Sequence, residues 1–374
     1  MPPTAVVAPT APALHTVSYG AHVGLIGIDP TPILNGVTAM RFEWIAQTIY
    51  WRDVEPSQGQ YAWDKLDAVV APLSSGNYSL RLLAVVRGTP DWARPAGADL
   101  TRDGPPTDNA ALGEFLHALA GRYTGQVAAY EIYPEANDAR HWASPQGISP
   151  QAYAALLQTA STSIRSADPL AIVVSGGLEP TDVDDGLNAM DPSRFLGAMY
   201  AAGAGQWLDA VGVHLDGRNN PPSDTPQMTT TPKPGFKGLW AYYFRNYEAL
   251  HAVMAANGDY RHPMWLTGVG WASAAPPPDG MPYAADNTED EQAGYLVGAA
   301  YQVRTQPYVQ VMIVENFNLS VLEGAGPREA AYSLIRPDWS ARPAFLALAK
   351  MRQADVLPAS AESGAPMANL GLAP

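Results

Sequence analysis

Gln126-Val127-Ala128-Ala129-Tyr130-Glu131-Ile132-Tyr133 is a short β-rich run. It breaks into Pro134-Glu135-Ala136-Asn137 and a further polar stretch before a helical pattern begins at Pro150. Another helical pattern, Asn109–Tyr123, lies just before it. Helix, strand, polar loop, helix is the repeating unit of a barrel in which every strand is followed by a crossover helix. The same unit recurs outward in both directions. Strand-like runs fall at His22–Asp29, Glu43–Trp51, Ser79–Arg87, Leu170–Gly176, Leu208–Leu215, Pro263–Gly270 and Val309–Phe317, making eight in all. Helical spacing marks Ala62–Leu73, Pro150–Ser166, Pro192–Ala202, Leu239–Ala256 and Thr288–Thr305, with a weaker pattern at Thr31–Met40. Asp191 before Pro192, and Thr288 before Glu289, Asp290 and Glu291, are helix-start signals. The expected fold is α/β, a single (β/α)₈ barrel. A doubly wound sheet is the alternative, but no G-x-G-x-x-G follows the first run and no phosphate-binding loop sequence occurs.

The 374 residues are enough for two or three ordinary domains or one large barrel. The expected division is a Pro/Ala-rich N-terminal segment over 1–18, the barrel over 19–356 and a C-terminal tail over 357–374. Both tails are expected to be disordered, being poor in core-forming residues. Lys+Arg 22 against Asp+Glu 36 leaves a net charge of −14, which opposes nucleic acid or an anionic membrane as partner. No apolar stretch reaches the roughly 20 residues of a membrane-spanning helix. The absence of cysteine removes disulfides, thiolate catalysis and Cys-ligated metals. The seven histidines form no H-E-x-x-H pattern, and Asp182, Asp184 and Asp185 lack a calcium loop's terminal Glu, so neither metal nor cofactor is expected.

Function in this architecture sits on the loops after the strands. The long ones are Gly88–Pro106, Asp216–Gly238 and Ala272–Asn287. Trp51-Arg52-Asp53-Val54-Glu55-Pro56, with Gly59, Tyr61, Trp63, Leu66 and Asp67, resembles the W-x-x-x-E-P-x-x-G-x-Y-x-W-x-x-L-D segment of clan A glycoside hydrolases. Family 39 and its relatives are the nearest. Thr89–Trp92 is similar to their third-strand ending, and Asp209–His214 to their sixth strand.

The resemblance implies two glutamates: an acid/base after the fourth strand and a nucleophile after the seventh, about 5–5.5 Å apart. Tyr133-Pro134-Glu135-Ala136-Asn137 stands where the family has W-N-E-P-N, so Glu135 takes the acid/base position. Pro134 replaces the asparagine whose amide holds the sugar 2-hydroxyl. Trp265-Leu266-Thr267-Gly268-Val269-Gly270-Trp271 stands against W-x-T-E-F-G-W, so Gly268 takes the nucleophile's position without being able to act as one. Glu315 and Asp216 are the carboxylates that would substitute, in an inverting mechanism. The plainer alternative for Glu315 is an ion pair with Arg or a bond to a backbone donor at the barrel mouth.

His214 is either a sugar-cleft residue or a satisfied rim histidine. Trp51, Trp92, Trp142 and Trp271 fall at or just beyond strand ends, where they either stack on sugar faces or pack the core. Asn137 completes the substrate-binding set. Three readings follow: a barrel that has lost retaining hydrolysis and binds carbohydrate or serves in assembly, an active hydrolase using Glu135 with an unconventional partner, or a scaffold whose partner is another protein. The Pro/Ala/Thr-rich stretch from Pro2 to Ala13 resembles the spacer between an exported domain and its anchor, so an extracellular or cell-surface setting is expected.

Overall fold

The computed structural model describes residues 14–229 and 231–354. Eight strands form one parallel sheet: β1 (Ser18–Val23), β2 (Trp44–Tyr50), β3 (Arg81–Arg87), β4 (Val127–Ile132), β5 (Ile172–Ser175), β6 (Val211–Asp216), β7 (Met264–Gly270) and β8 (Val309–Val314). Their order is β5-β4-β3-β2-β1-β8-β7-β6, and the parallel bridges Val174↔Ala210 and Leu178↔Val213 bring β5 against β6. The sheet thus curls almost fully onto itself, the expected (β/α)₈ barrel.

Strand alternation builds two cores. On β2, Trp44 and Ala46 face the barrel axis, where they meet Leu83, Ala129, Trp265 and Ile313, while Ile45 and Ile49 face the helices. Trp44 and Trp265 fill the axis edge to face, with ring centroids 4.9 Å apart. The outer core is sealed by helices at Thr31–Ala39, Asp64–Ser74, Asn109–Arg122, Pro150–Ala167, Pro192–Ala201, Asn246–Ala256, Glu289–Val303 and Pro343–Ala354. Asp191 caps the helix at Pro192 by accepting from the Arg194 N–H. Thr288 and Glu291 form a reciprocal capping box.

Three expectations need correction. The first strand lies at Ser18–Val23 rather than His22–Asp29. The apolar letters Gly24-Leu25-Ile26 drew the reading downstream, but the Asn318 side chain holds both the N–H and the carbonyl of Gly24 (2.8 Å each), ending the ladder there. Residues 15–18 belong to the barrel rather than to a tail: Val17 is buried and the His15 ring bonds the Arg304 and Val309 carbonyls. The pattern at Leu239–Ala256 is a 3₁₀ turn, Trp240–Tyr242, followed by a separate helix from Asn246. Residues 1–13 and 355–374, to which the tail expectations apply, lie outside the described residues.

Candidate active site

The alternation that puts Ala129 on the barrel axis puts Glu131 there too, fully buried. Its Oε1 accepts from the Gly177 N–H at 2.7 Å and from Thr267 Oγ1 at 2.8 Å, and lies 3.6 Å from His214 Nε2. Beyond β4 the chain turns sharply, with Tyr133 and Glu135 both in the left-handed region at φ 48° and 63°. Such a conformation costs on the order of 1–3 kcal/mol per non-glycine residue and persists only where surrounding contacts hold it. Here the Tyr133 N–H bonds the Val86 carbonyl and the Glu135 N–H bonds the Gly177 carbonyl at 2.7 Å. The turn points the Glu135 side chain into the mouth of the barrel.

Both oxygens of Glu135 are taken. Oε1 accepts from His214 Nδ1 at 3.1 Å, and Oε2 accepts from His141 Nε2 at 2.8 Å with Arg87 at 3.7 Å. Arg87 also lies against His141 Nδ1, while His141 Nε2 faces Glu135. Arg87 is held in turn by Asp103 at 3.0 Å, and Asp103 also binds Arg52 at 2.5 Å. Burial alone would raise the Glu135 pKa. The charges and hydrogen bonds of His141 and His214 outweigh it and hold this carboxyl well below the usual range. His214 moves the opposite way: burial opposes its charge, but Glu131 and Glu135 raise it well above an ordinary histidine.

The ring of His214 explains two glycines. A Cβ at Gly177 would lie 2.2 Å from His214 Cδ2, and one at Gly268 would lie 3.0 Å from the same atom. The position left without a nucleophile is therefore flanked by an imidazole seated between two glycines.

Glu135, Glu179, His214, Asp216, Gly268 and Glu315 share one cavity of about 150 Å³, closed on a further side by Arg328 and Tyr332. Asp216 is committed: it ion-pairs with the Arg218 guanidinium at 3.2 Å and accepts from the Arg218 backbone N–H at 2.9 Å and from the Tyr283 hydroxyl at 3.1 Å. Among the described residues, Glu315 has neither the arginine nor the backbone donor expected as its plainer alternative. Its nearest ionisable neighbour among the described residues is His22 Nε2 at 3.8 Å, and that nitrogen already bonds the Thr267 carbonyl.

The aromatic expectations meet a different structure. Trp51 is buried against Phe115 and donates to Glu55 at 2.7 Å, Trp142 packs between Tyr133 and Tyr153, and Trp271 is buried against Phe244 and donates to the Asn220 carbonyl. Trp92 stands edge-on to Trp51 and donates to the Glu55 carbonyl. None of these four lines the cavity. The motif around Glu55 is a brace, since its carboxylate ties Trp51 to the Gly59 N–H.

Asn137 also does structural work. Fully buried, it clamps the Glu179 backbone through N–H and carbonyl bonds of 2.8 and 2.9 Å. Arg87, Glu131, His141, Glu179 and Arg328 were not singled out from sequence. Only Glu131, a lone charge inside an apolar strand run, carried a readable signal. Among the described residues no group of His, Asp or Glu is placed to hold a metal.

No family model matches the chain, and no curated protein matches it. Solved structures do. A family 39 glycoside hydrolase from Bacteroides cellulosilyticus WH2 superposes with TM-score 0.63 at 18% identity, covering 90% of this chain and 63% of that one. The GH5_18 protein from Streptomyces cattleya, solved with GlcNAc, gives 0.65 at 15% over 95% and 83% of the two chains. Xylanase 10B from Thermotoga maritima gives 0.58 at 13% over 91% and 95%. The chain spans less than two thirds of the family 39 enzyme's length. At these identities the likeness is one of architecture: the chain has the (β/α)₈ fold of the clan A glycoside hydrolases.

Proposed function

We propose that this barrel binds carbohydrate in the cavity at the C-terminal ends of its strands and does not carry out retaining hydrolysis. One observation supports this above the others: His214 lies between Gly268 and Glu135, bonded to Glu135 and packed against Gly268. Double displacement needs a carboxylate nucleophile at one position and a proton-bearing carboxyl at the other. The first position has no side chain, and the second is an ion-paired carboxylate with no proton to give. The polar groups that remain suit sugar hydroxyls, which both donate and accept.

The test pairs calorimetric titration with neutral oligosaccharides against trapping with activated 2-deoxy-2-fluoro glycosides, followed by intact-mass measurement. Binding without a covalent adduct is expected. Gly268→Glu is expected to form no adduct either, because its Cβ presses on His214 and Pro134 supplies no amide to the 2-hydroxyl. An adduct on the native chain would overturn the reading.

A further inference from the structure

Among the described residues, three carboxyl groups of the cavity keep oxygens with no hydrogen-bond partner: Glu179, Glu315 and Glu329, of which Glu329 lies exposed at the rim. Glu179 Oε1 accepts from Arg140 at 2.8 Å, while Oε2 has no hydrogen-bond partner among the described residues and its side chain is 15% exposed. The Asn137 clamp fixes its backbone, and Asp138 fixes Arg140 through two bonds of 2.9 Å. Glu315 directly follows β8, three strands around the barrel from β5, which leads to Glu179. Its side chain is 36% exposed, with His22 at 3.8 Å as its one ionisable neighbour within ion-pair range among the described residues. The two carboxyls thus enter the same cavity from different sides of its wall.

We infer that Glu179 and Glu315 act as acid and base in single-displacement, inverting hydrolysis of a glycosidic bond held in this cavity. The inference rests on the sugar-binding reading above and adds an activity to it. Single displacement needs no nucleophile on the protein, so Gly268 is no obstacle. It needs one carboxyl that carries a proton and one carboxylate open to water.

Glu135 fails the first requirement and Glu179 meets it. Burial, then the Glu135 charge, push the Glu179 carboxyl up to about 7 against the pull of Arg140, with Asp216 adding to the rise. Arg328, from the segment after β8, also faces it. Two carboxyls in one cavity driven in opposite directions is the pattern that separates a proton donor from a permanent anion. Glu135 then serves to keep Glu179 protonated, as a positioning residue.

In the reaction, the Glu179 proton passes to the glycosidic oxygen as the C1–O bond breaks, and the bonding pair leaves with that oxygen. Water adds to C1 from the opposite face and gives its proton to Glu315. The products are an alcohol and a hemiacetal of inverted configuration. Exchange with solvent returns a proton to Glu179 and removes one from Glu315.

The experiment uses β-linked disaccharides of glucose, mannose and xylose that the full chain binds by calorimetry, with early products read by proton NMR. The α-hemiacetal is expected first. Glu179→Gln and Glu315→Gln should each cut the rate about 10²–10⁴-fold while retaining sugar binding, which shows that both variants fold. Dinitrophenyl glycosides, whose leaving group needs no proton, should restore Glu179→Gln alone. Azide should restore Glu315→Gln alone, yielding the α-glycosyl azide. A bound disaccharide recovered uncut, the β-hemiacetal appearing first, or either variant cleaving at the native rate would each overturn the inference and leave sugar binding standing. Failure of every sugar to bind would instead remove the sugar-binding reading, and this inference with it.

Discussion

The two halves of the barrel mouth are built on opposite terms. At the end of β4, Glu135 is gripped by two histidines and an arginine, Arg87 is gripped by Asp103, and the turn itself is held in a left-handed conformation. At the ends of β7 and β8, Gly268 presents no side chain, and the Glu315 carboxylate has no partner closer than 3.8 Å among the described residues. A buried charge must be paired or it becomes neutral, so the β4 side reads as stability. A half-exposed carboxylate with open oxygens contributes little to the fold, so the β8 side remains free for a ligand.

His214 is where that contrast breaks most easily. Its ring touches Glu131 and Glu135 and fills the space between Gly177 and Gly268. His214→Ala removes the cation from two buried carboxylates and opens a hole that neither glycine can fill. Breaking a buried ion pair from one side costs about 3–5 kcal/mol, and urea unfolding should show a loss of that size. A loss under about 1 kcal/mol would mean that Glu131 and Glu135 do not depend on this imidazole.

The same cluster sets a pH dependence whose sign can be worked out from both partners. Glu131 and Glu135 have folded-state pKa values below their unfolded values, so their stabilisation is complete above the ordinary carboxylate range and is lost as pH falls through the folded values. His214 is raised, so its stabilisation is complete below the ordinary histidine value near 6.5 and is lost as pH climbs through the folded value. Thermal melts from pH 3 to 9 should therefore show an acid loss from Glu131 and Glu135 and an alkaline loss from His214, with the raised Glu179 carboxyl adding a loss as pH climbs from the ordinary carboxylate range to about 7. In His214→Gln the alkaline fall should flatten while some acid loss persists, because His141 and Arg87 still face Glu135. An unchanged alkaline limb in that variant would assign the fall to another group.

Sequence reading located the barrel because strand runs and helix starts are local signals. Thr288 with Glu291, and Asp191 before Pro192, act within one turn and were placed correctly. It placed Glu135, Gly268, His214, Asp216 and Glu315 in one mouth because each sits at a strand end, and strand ends converge in this fold. The tryptophans stayed open between sugar stacking and core packing for the same reason. A strand end is also where the outer core begins, and residue type does not say which way an indole turns. Glu179 was invisible because its role comes from partners distant in sequence: Asn137 and Arg140 hold it, and Glu135 and Asp216 raise it. Gly268 read as a loss, whereas the structure shows an imidazole against the place a side chain would take.

The smallest expected effect sharpens the contrast from its open side. Glu315→Gln removes a charge whose one ionisable neighbour within ion-pair range among the described residues, His22, is 3.8 Å away and already committed to the Thr267 carbonyl. Substitutions that disturb no buried network usually stay within about 0.5 kcal/mol, and the unfolding midpoint of Glu315→Gln should move no further than that. Glutamine keeps the shape and one acceptor oxygen, so a larger fall could not come from lost packing. It would mean that the Glu315 charge is tied into the β4 network through His22 and Thr267, and that the two sides of the mouth are one electrostatic unit.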